Sequence, residues 1–554
     1  MTGHEATGRH DVVIVGCHLT TSLLAAILAR YGVRVAVIKT ADDGIRPAGE
    51  TTVPYTAELF FLLGDRYDIP ELSSLGTFDE LPRWLRGTCG VKRNLGFLYH
   101  REAAAHDPAQ SLQFVVPGEH AEWHLYRPDV DEYAAAVAGR YGATSYQTAA
   151  APGGVTVGTR GVSVRLTDGR VVEAEYLVDG SGDATVLAEG LPRLDPAAAR
   201  HRGRLLYAQL TGVREFESIV PLARYRKARS WTEGTLLHAF DGGWVQVAPF
   251  GNHADSANPR WSVAASFDPA RFPVADRRPD DDFGHVIRRF PELRLQFADA
   301  VQERPWVRYE QWPARAARCH GPRWFLFDRS AVRHDLLLSR DLTMSLEMLH
   351  ATAAGLLAVA RAGDWAGDGM AAAASFQLGL FDWHDRFVAA GRTATEGFAL
   401  WNAYLRSWLL WSILSALSLK RARMDGAGGA GPERWSAVEQ FDQAEYWYPV
   451  PAGLPEFMRA TISGFEAVRA GASPDVEADR VYRRLRRERF VPPLFAFGDP
   501  SARYYQFSRA RRLRMLLWTK TVAPSDFRRL LTADNVTAVA ASHQPAAAGA
   551  RRER

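Results

Sequence analysis

Cysteine is scarce. Cys17, Cys89 and Cys319 are the only three in 554 residues, they lie far apart, and no C-x-x-C spacing occurs. A disulfide scaffold and a thiolate zinc site are therefore excluded, and a reducing, cytoplasmic location is expected. The longest nearly uncharged stretch, 407–419, is closed by Arg406 and by Lys420 and Arg421. It falls short of the roughly 20 residues that span a bilayer, so it reads as a buried helix and no integral membrane segment is expected. The first ten residues carry charges but no apolar core of a signal sequence, which argues against export. Charge of one sign is lacking too: 67 Lys and Arg against 63 Asp and Glu leave +4, so no domain-wide basic field marks a nucleic-acid partner. G-x-S-x-G, G-x-x-x-x-G-K-S/T and H-E-x-x-H are all absent, which removes serine hydrolase, P-loop and zincin chemistry, and no metal site is expected.

What is present is an ordinary folded composition, 47% hydrophobic and 23% charged, in a chain long enough for a large composite enzyme. Residues 11–16 form a short apolar run ending in Gly16. Apolar positions at helical spacing follow over 23–30, and a second apolar run covers 33–38. This is a β-α-β unit of the kind that opens a dinucleotide-binding domain. Alternating or β-rich segments at 96–100, 112–116, 154–167, 205–213, 243–249 and 261–267 predict a mixed sheet. Helices are predicted over 127–141 and 342–362, and a mainly helical region rich in Trp and Arg from 371 onward, with a glycine-rich surface break at 426–431. The predicted class is α/β: a Rossmann-like FAD-type domain (9–200 with 310–365), a mixed-sheet substrate domain (201–309), a C-terminal helical region (366–531) and a disordered tail (532–554).

The order of these segments, together with four local motifs, resembles the flavin-dependent halogenases, which share the fold of the aromatic hydroxylase flavoproteins. The motifs are Gly49-Glu50-Thr51-Thr52-Val53-Pro54, similar to the family's G-E-x-x-x-P loop; the segment 91–100, similar to the one that carries the halogenase lysine; Arg127 with Asp131, similar to its R-x-x-x-D helix start; and Val178-Asp179-Gly180-Ser181-Gly182, similar to the turn beneath the flavin. The resemblance spans about residues 11–365. It implies FAD chemistry in which Lys92 holds or activates an oxidant beside an electron-rich aromatic carbon. It also implies Gly16, Arg127, Asp179, Gly182 and Ser339 as cofactor-binding residues, and a flavin reductase as partner.

The chain departs from the pattern where the cofactor would lie. The G-x-G-x-x-G turn reads Gly16-Cys17-His18-Leu19-Thr20-Thr21, and Lys39 or Thr40 stands where a carboxylate would meet the ribose. The third motif carries Arg329, Leu336 and Asp341 in place of Asp, Pro and Gly, and the W-x-W-x-I-P signature is reduced to Trp244, Gln246, Ala248 and Pro249. Side chains at such positions crowd a cofactor that needs close backbone approach, so no FAD or only weakly held FAD is expected. The expected activity is a non-redox step, such as cyclisation, isomerisation or elimination, on a bulky aromatic or polyketide-like compound, free or carried on a carrier protein. Lys92 would serve as acid or anchor, and Glu50 or Asp335 as base. The alternatives are an FADH2-dependent halogenase with an unusual cofactor grip and an inactive scaffold. Asp382-Trp383-His384-Asp385 reads as polar surface, and the Trp and Tyr around 401–411 and 446–448 as core.

Overall fold

The computed structural model describes residues 9–530 apart from 41–48, 117–120, 183–185, 188–193, 226, 274–275 and 506–508; the tail expected at 532–554 lies outside the described residues. Strand β1 (His10–Val15) is flanked in parallel by β2 (Val35–Ile38) and by Val171–Asp179, with Trp324–Leu326 beyond the latter and Thr144–Tyr146 beyond β2. Val12, Val13, Ile14 and Val15 are wholly buried, which requires cover on both faces, as in any parallel sheet. Each such side chain contributes about 2 kcal/mol of hydrophobic stabilisation.

A second, nine-stranded sheet stands beside it. In chain order it uses β4 (Asn94–Tyr99), β5 (Ser111–Val115), Gly203–Thr211, Gly234–Phe240, Gly243–Pro249, Trp261–Phe267, Val301–Gln302 and Val307–Trp312, with Tyr504–Tyr505 at one edge. Two shorter strands, β3 (Gly90–Lys92) and β6 (Glu122–His124), form their own antiparallel pair. A separate apolar cluster built on Phe240, Phe267, Phe272, Phe283 and Phe290 backs this sheet. The sheet therefore draws strands from 94–115 and 504–505 as well as from 201–309, a wider recruitment than the sequence division expects. Strand partnership is a long-range choice that local pattern does not carry.

The helices that matter here are α1 (Leu19–Arg30), α2 (Arg127–Arg140), α3 (Asp341–Ala362), α4 (Ala371–Ala394), α5 (Phe398–Gly428), α6 (Pro474–Arg487) and α7 (Arg509–Thr521). Helix α5 runs three residues into the glycine-rich segment read as a loop. Trp401, Trp408, Trp411 and Trp447 are fully buried in the core, as expected. The span Leu337–Ala362, which includes α3, is long and apolar enough to cross a membrane, and 78% of its most apolar window is buried inside the fold.

Candidate functional site

The expected residues fall into three groups, at the turn after β1, around Glu50 and around Lys92. The first is the turn after β1. Gly16 has φ +106°, and a Cβ there would lie 2.5 Å from the Gly180 carbonyl oxygen, so the turn itself requires glycine. His18 opens α1. Its Nε2 donates to the Gly180 carbonyl at 2.9 Å, while its backbone N–H donates to Thr21 Oγ1 at 3.0 Å and its carbonyl accepts from the same hydroxyl. Thr20 donates to Asp328 Oδ2 at 2.9 Å, and the Leu19 N–H donates to Asp131 Oδ1 at 2.9 Å. Arg127 pairs with that same carboxylate oxygen, at 2.8 Å through Nη2. The positive end of α1, the place where a dinucleotide fold receives a diphosphate, thus holds a carboxylate of this chain. Nearby, buried Asp179 accepts from the amide and hydroxyl of Ser181, and the Gly182 N–H donates to Ser330 Oγ at 2.7 Å. Lys39 lines a cavity of about 630 Å³ together with Cys17, Asp131 and Arg304.

The second group surrounds Glu50. Gly49, Glu50, Tyr207, Gln246, Ser339 and Asp341 are among the residues lining a cavity of about 20 Å³. That is room for one water and not for a ring system. Gln246, standing where the family has its second Trp, accepts from the Ser339 hydroxyl at 3.1 Å and so ties the second sheet to the third motif. Leu338 and Ser339 both adopt left-handed backbone, φ +63° and +58°, a local strain of order 1–2 kcal/mol each. Gln209 donates to Glu50 Oε1 at 2.7 Å. Burial, the largest influence, pushes the Glu50 carboxyl above its ordinary range despite hydrogen bonds from Ser262, Tyr207 and Gln209. Arg329 is buried, with Cζ 5.4 Å from the centre of the Trp312 ring, and its charge bears on Asp328 and Asp341.

The third group is Lys92 with a residue that sequence reasoning missed. β3 and β6 place Lys92 directly opposite Glu122, and both side chains are buried. Lys92 Nζ donates to the Thr52 carbonyl at 2.5 Å, two residues along the chain from Glu50. Burial pulls the Lys92 ammonium down to about 7 against the attraction of Glu122, and pushes the Glu122 carboxyl up to about 7. Burial thus disfavours the charge on each side chain and brings both toward neutrality, the range that acid–base work needs. His124 neighbours the pair with both ring nitrogens engaged, Nδ1 at 2.8 Å from the Pro249 carbonyl and Nε2 at 3.1 Å from Thr235 Oγ1. Nothing local marks Glu122 in the sequence, because its role depends on a pairing between segments thirty residues apart.

Asp335, the alternative base in the expectation, is held from several sides. Arg392 Nη2 lies 2.9 Å from its Oδ2, His201 Nε2 lies 3.3 Å from the same oxygen, and the Leu337 N–H donates to Oδ1 at 2.9 Å. Burial alone would raise its pKa, but Arg392 and His201 outweigh that and hold the carboxylate far below its ordinary range, too acidic to accept a proton near neutral pH. Its place is in a clamp. His201 Nδ1 sits 3.0 Å from Asp385, and the Arg200 N–H donates to that carboxylate at 2.6 Å. His384 and Asp385 are consequently buried and not the polar surface expected; of that segment Asp382 stays half exposed, 3.3 Å from Arg315. For His201, burial lowers the pKa, but the hydrogen bonds to Asp335 and Asp385 outweigh it and raise it. The clamp's contribution is therefore complete below the ordinary histidine value near 6.5 and declines as pH rises through the elevated one. Melting temperature followed upward from about pH 6 should fall more steeply for the native chain than for His201→Gln; parallel curves would refute the clamp. Among the described residues, no group of three or more His, Cys, Asp or Glu is placed to hold a metal ion. His120, four residues before His124, lies outside them.

A sheet with a parallel centre and a nucleotide-type turn, a second, mixed sheet and a C-terminal helical region together make the FAD-type flavoprotein fold. Halogenase PltM, solved in complex with phloroglucinol and FAD, superposes with a TM-score of 0.80 at 24% identity, covering 90% of this chain and 99% of that one. No protein-family model matches. The chain is 31% identical over 538 residues to monodechloroaminopyrrolnitrin halogenase PrnC of Pseudomonas fluorescens, covering 94% of this chain and 93% of that protein. It is 30% identical over 531 residues to tetracycline 7-halogenase of Kitasatospora aureofaciens, covering 95% of each. The chain belongs to the flavin-dependent halogenase family.

Proposed function

We propose that this chain is a halogenase-fold enzyme of specialised metabolism that acts on a small aromatic or polyketide-like compound by proton transfer, without the family's ordinary hold on FAD. The observation that carries the reading is the turn after β1, where the His18 ring, standing in place of a glycine, is bonded to the Gly180 carbonyl and Thr20 is bonded to Asp328, so that side chains occupy the place where a diphosphate needs close approach to the backbone. The residues present do not suit FAD in its usual pose.

In this reading Lys92 donates a proton, or stabilises an oxyanion that develops on the substrate, and Glu122 returns the proton to it. Glu50, buried beside a cavity with room for one water and two residues from the Thr52 carbonyl that holds Lys92, acts as a positioning residue for that segment. Asp335 keeps only a positioning role. The substrate class is taken from the relatives, whose names include tetracycline and aminopyrrolnitrin compounds.

The second reading, an FADH2-dependent halogenase fed by a reductase, is favoured by identity that runs through nearly the whole chain. Purified protein separates the two. The expected result is a colourless sample that leaves FAD fluorescence unchanged at about 10–50 µM protein, well above the micromolar affinities that would mark a working cofactor site. A yellow sample, or saturable quenching, would restore the halogenase.

A further inference from the structure

The small cavity at Glu50 has a chemistry of its own. Of the residues lining it, Glu50, Tyr207, Gln246, Ser262, Ser339 and Asp341 carry side-chain oxygens, and none of the lining side chains bears a positive charge, an imidazole or a sulfur. Glu50 and Asp341 are only 5% and 8% exposed. Each keeps one buried carboxylate oxygen, Oε2 and Oδ2, that no donor among the described residues meets in good hydrogen-bond geometry. The loop 49–54 and the start of α3 are pressed together here: Gly49 has φ +61°, and a Cβ on it would lie 3.1 Å from Leu342 Cβ and 3.7 Å from Asp341 Oδ2. Two carboxyls from distant parts of the chain therefore face one small space.

The guanidinium groups nearby are already shared. Arg127 bears on Glu50 and Asp341 but is paired with Asp131, and Arg329 bears on Asp341 and Asp328 alike. Two cations thus serve four carboxyls, and the cavity faces an excess of negative charge, which is costly to bury uncompensated. Its size and lining then select the occupant. A water fits but cancels no charge. An anion would meet two like charges. Magnesium keeps several waters in its shell, for which about 20 Å³ leaves no room. A dehydrated alkali ion is close to one water in size, takes oxygen ligands as other hard cations do, and supplies the missing charge.

We propose that this cavity binds a single monovalent alkali cation, sodium or potassium, between Glu50 and Asp341. Bound there, the ion fastens the loop 49–54 to the third motif, two residues from the Thr52 carbonyl that receives Lys92 Nζ. Its bearing on Lys92 rests on the proton-transfer reading; the binding itself does not.

The test uses the full-length chain dialysed into choline chloride at about pH 8, with ionic strength and chloride held constant while sodium or potassium replaces choline, so that general screening stays fixed. Melting temperature is expected to rise saturably, by about 2–4 °C at about 100 mM of the preferred ion. Equilibrium dialysis with radioactive sodium or rubidium should find close to one ion per chain. Glu50→Gln and Asp341→Asn keep the side-chain shape and remove the charge, and each should raise the half-saturating concentration at least about tenfold. The native response should weaken near pH 5.5, where protons compete for the same oxygens. Equal melting temperatures in choline, sodium and potassium would overturn the proposal. So would a response that follows the anion when gluconate replaces chloride, or one produced by micromolar calcium or magnesium instead. The native chain alone decides these outcomes, so a variant that fails to fold leaves none of them open, and full cation dependence retained in both folded variants would also overturn the site.

Discussion

Replacing Lys92 by methionine is expected to abolish turnover, because methionine keeps the length of the side chain buried opposite Glu122 while removing the proton it would give. Stability should move the other way. Burial lowers the folded Lys92 pKa to about 7, below the unfolded value near 10.4, so the native chain carries a penalty for the lysine that is full below about pH 7 and fades as pH rises toward the unfolded value. Lys92→Met should therefore gain most on the native chain near pH 5, where Glu122 can stay protonated, and less at pH 9. Urea unfolding at the two pH values measures this; a variant that is less stable than the native chain at pH 5 would mean that the lysine is not buried.

A loss of roughly 3–5 kcal/mol is expected for Arg204→Met, which deprives a buried ion pair of one partner. Arg204 and Asp282 are both essentially inaccessible and bonded twice, Nε to Oδ2 at 2.6 Å and Nη2 to Oδ1 at 3.0 Å, while Nη1 donates to the Phe272 carbonyl at 2.9 Å. The pair joins strand Gly203–Thr211 to the helix Pro279–Ile287 that covers the second sheet. Methionine would leave an ionised Asp282 and an orphaned carbonyl in an apolar layer, and a domain stable by about 5–15 kcal/mol loses a third or more at such a step. Arg204→Met/Asp282→Leu removes both charges and should return much of the loss. A thermal melt reads the difference, and an unchanged single variant would contradict the buried geometry.

Local physics made part of this legible in advance. β1, Gly16 and α1 follow from an apolar run, a turn glycine and helical spacing, and α2, α3 and the strands at 243–249 and 261–267 fall where pattern places them. The crowding at His18 and Thr21 could be anticipated because a fixed turn leaves few directions for a Cβ. What stayed hidden were partnerships between distant segments. Asp131 on the amide of Leu19, Glu122 against Lys92, Asp335 clamped by Arg392, and β4 joining the sheet of residues 203–267 each join parts of the chain that no window of sequence spans. Asp335 shows the cost: its residue type suggested a proton acceptor, and its neighbours forbid it.

The bonds made by His18 and Thr21 also bear on any attempt to engineer flavin affinity into this chain. Trimming both to glycine would clear space, but it would also remove the ring that fastens the turn to the Gly180 carbonyl and the hydroxyl that serves the first turn of α1. A successful graft has to restore that anchorage by other means before the turn can receive a nucleotide.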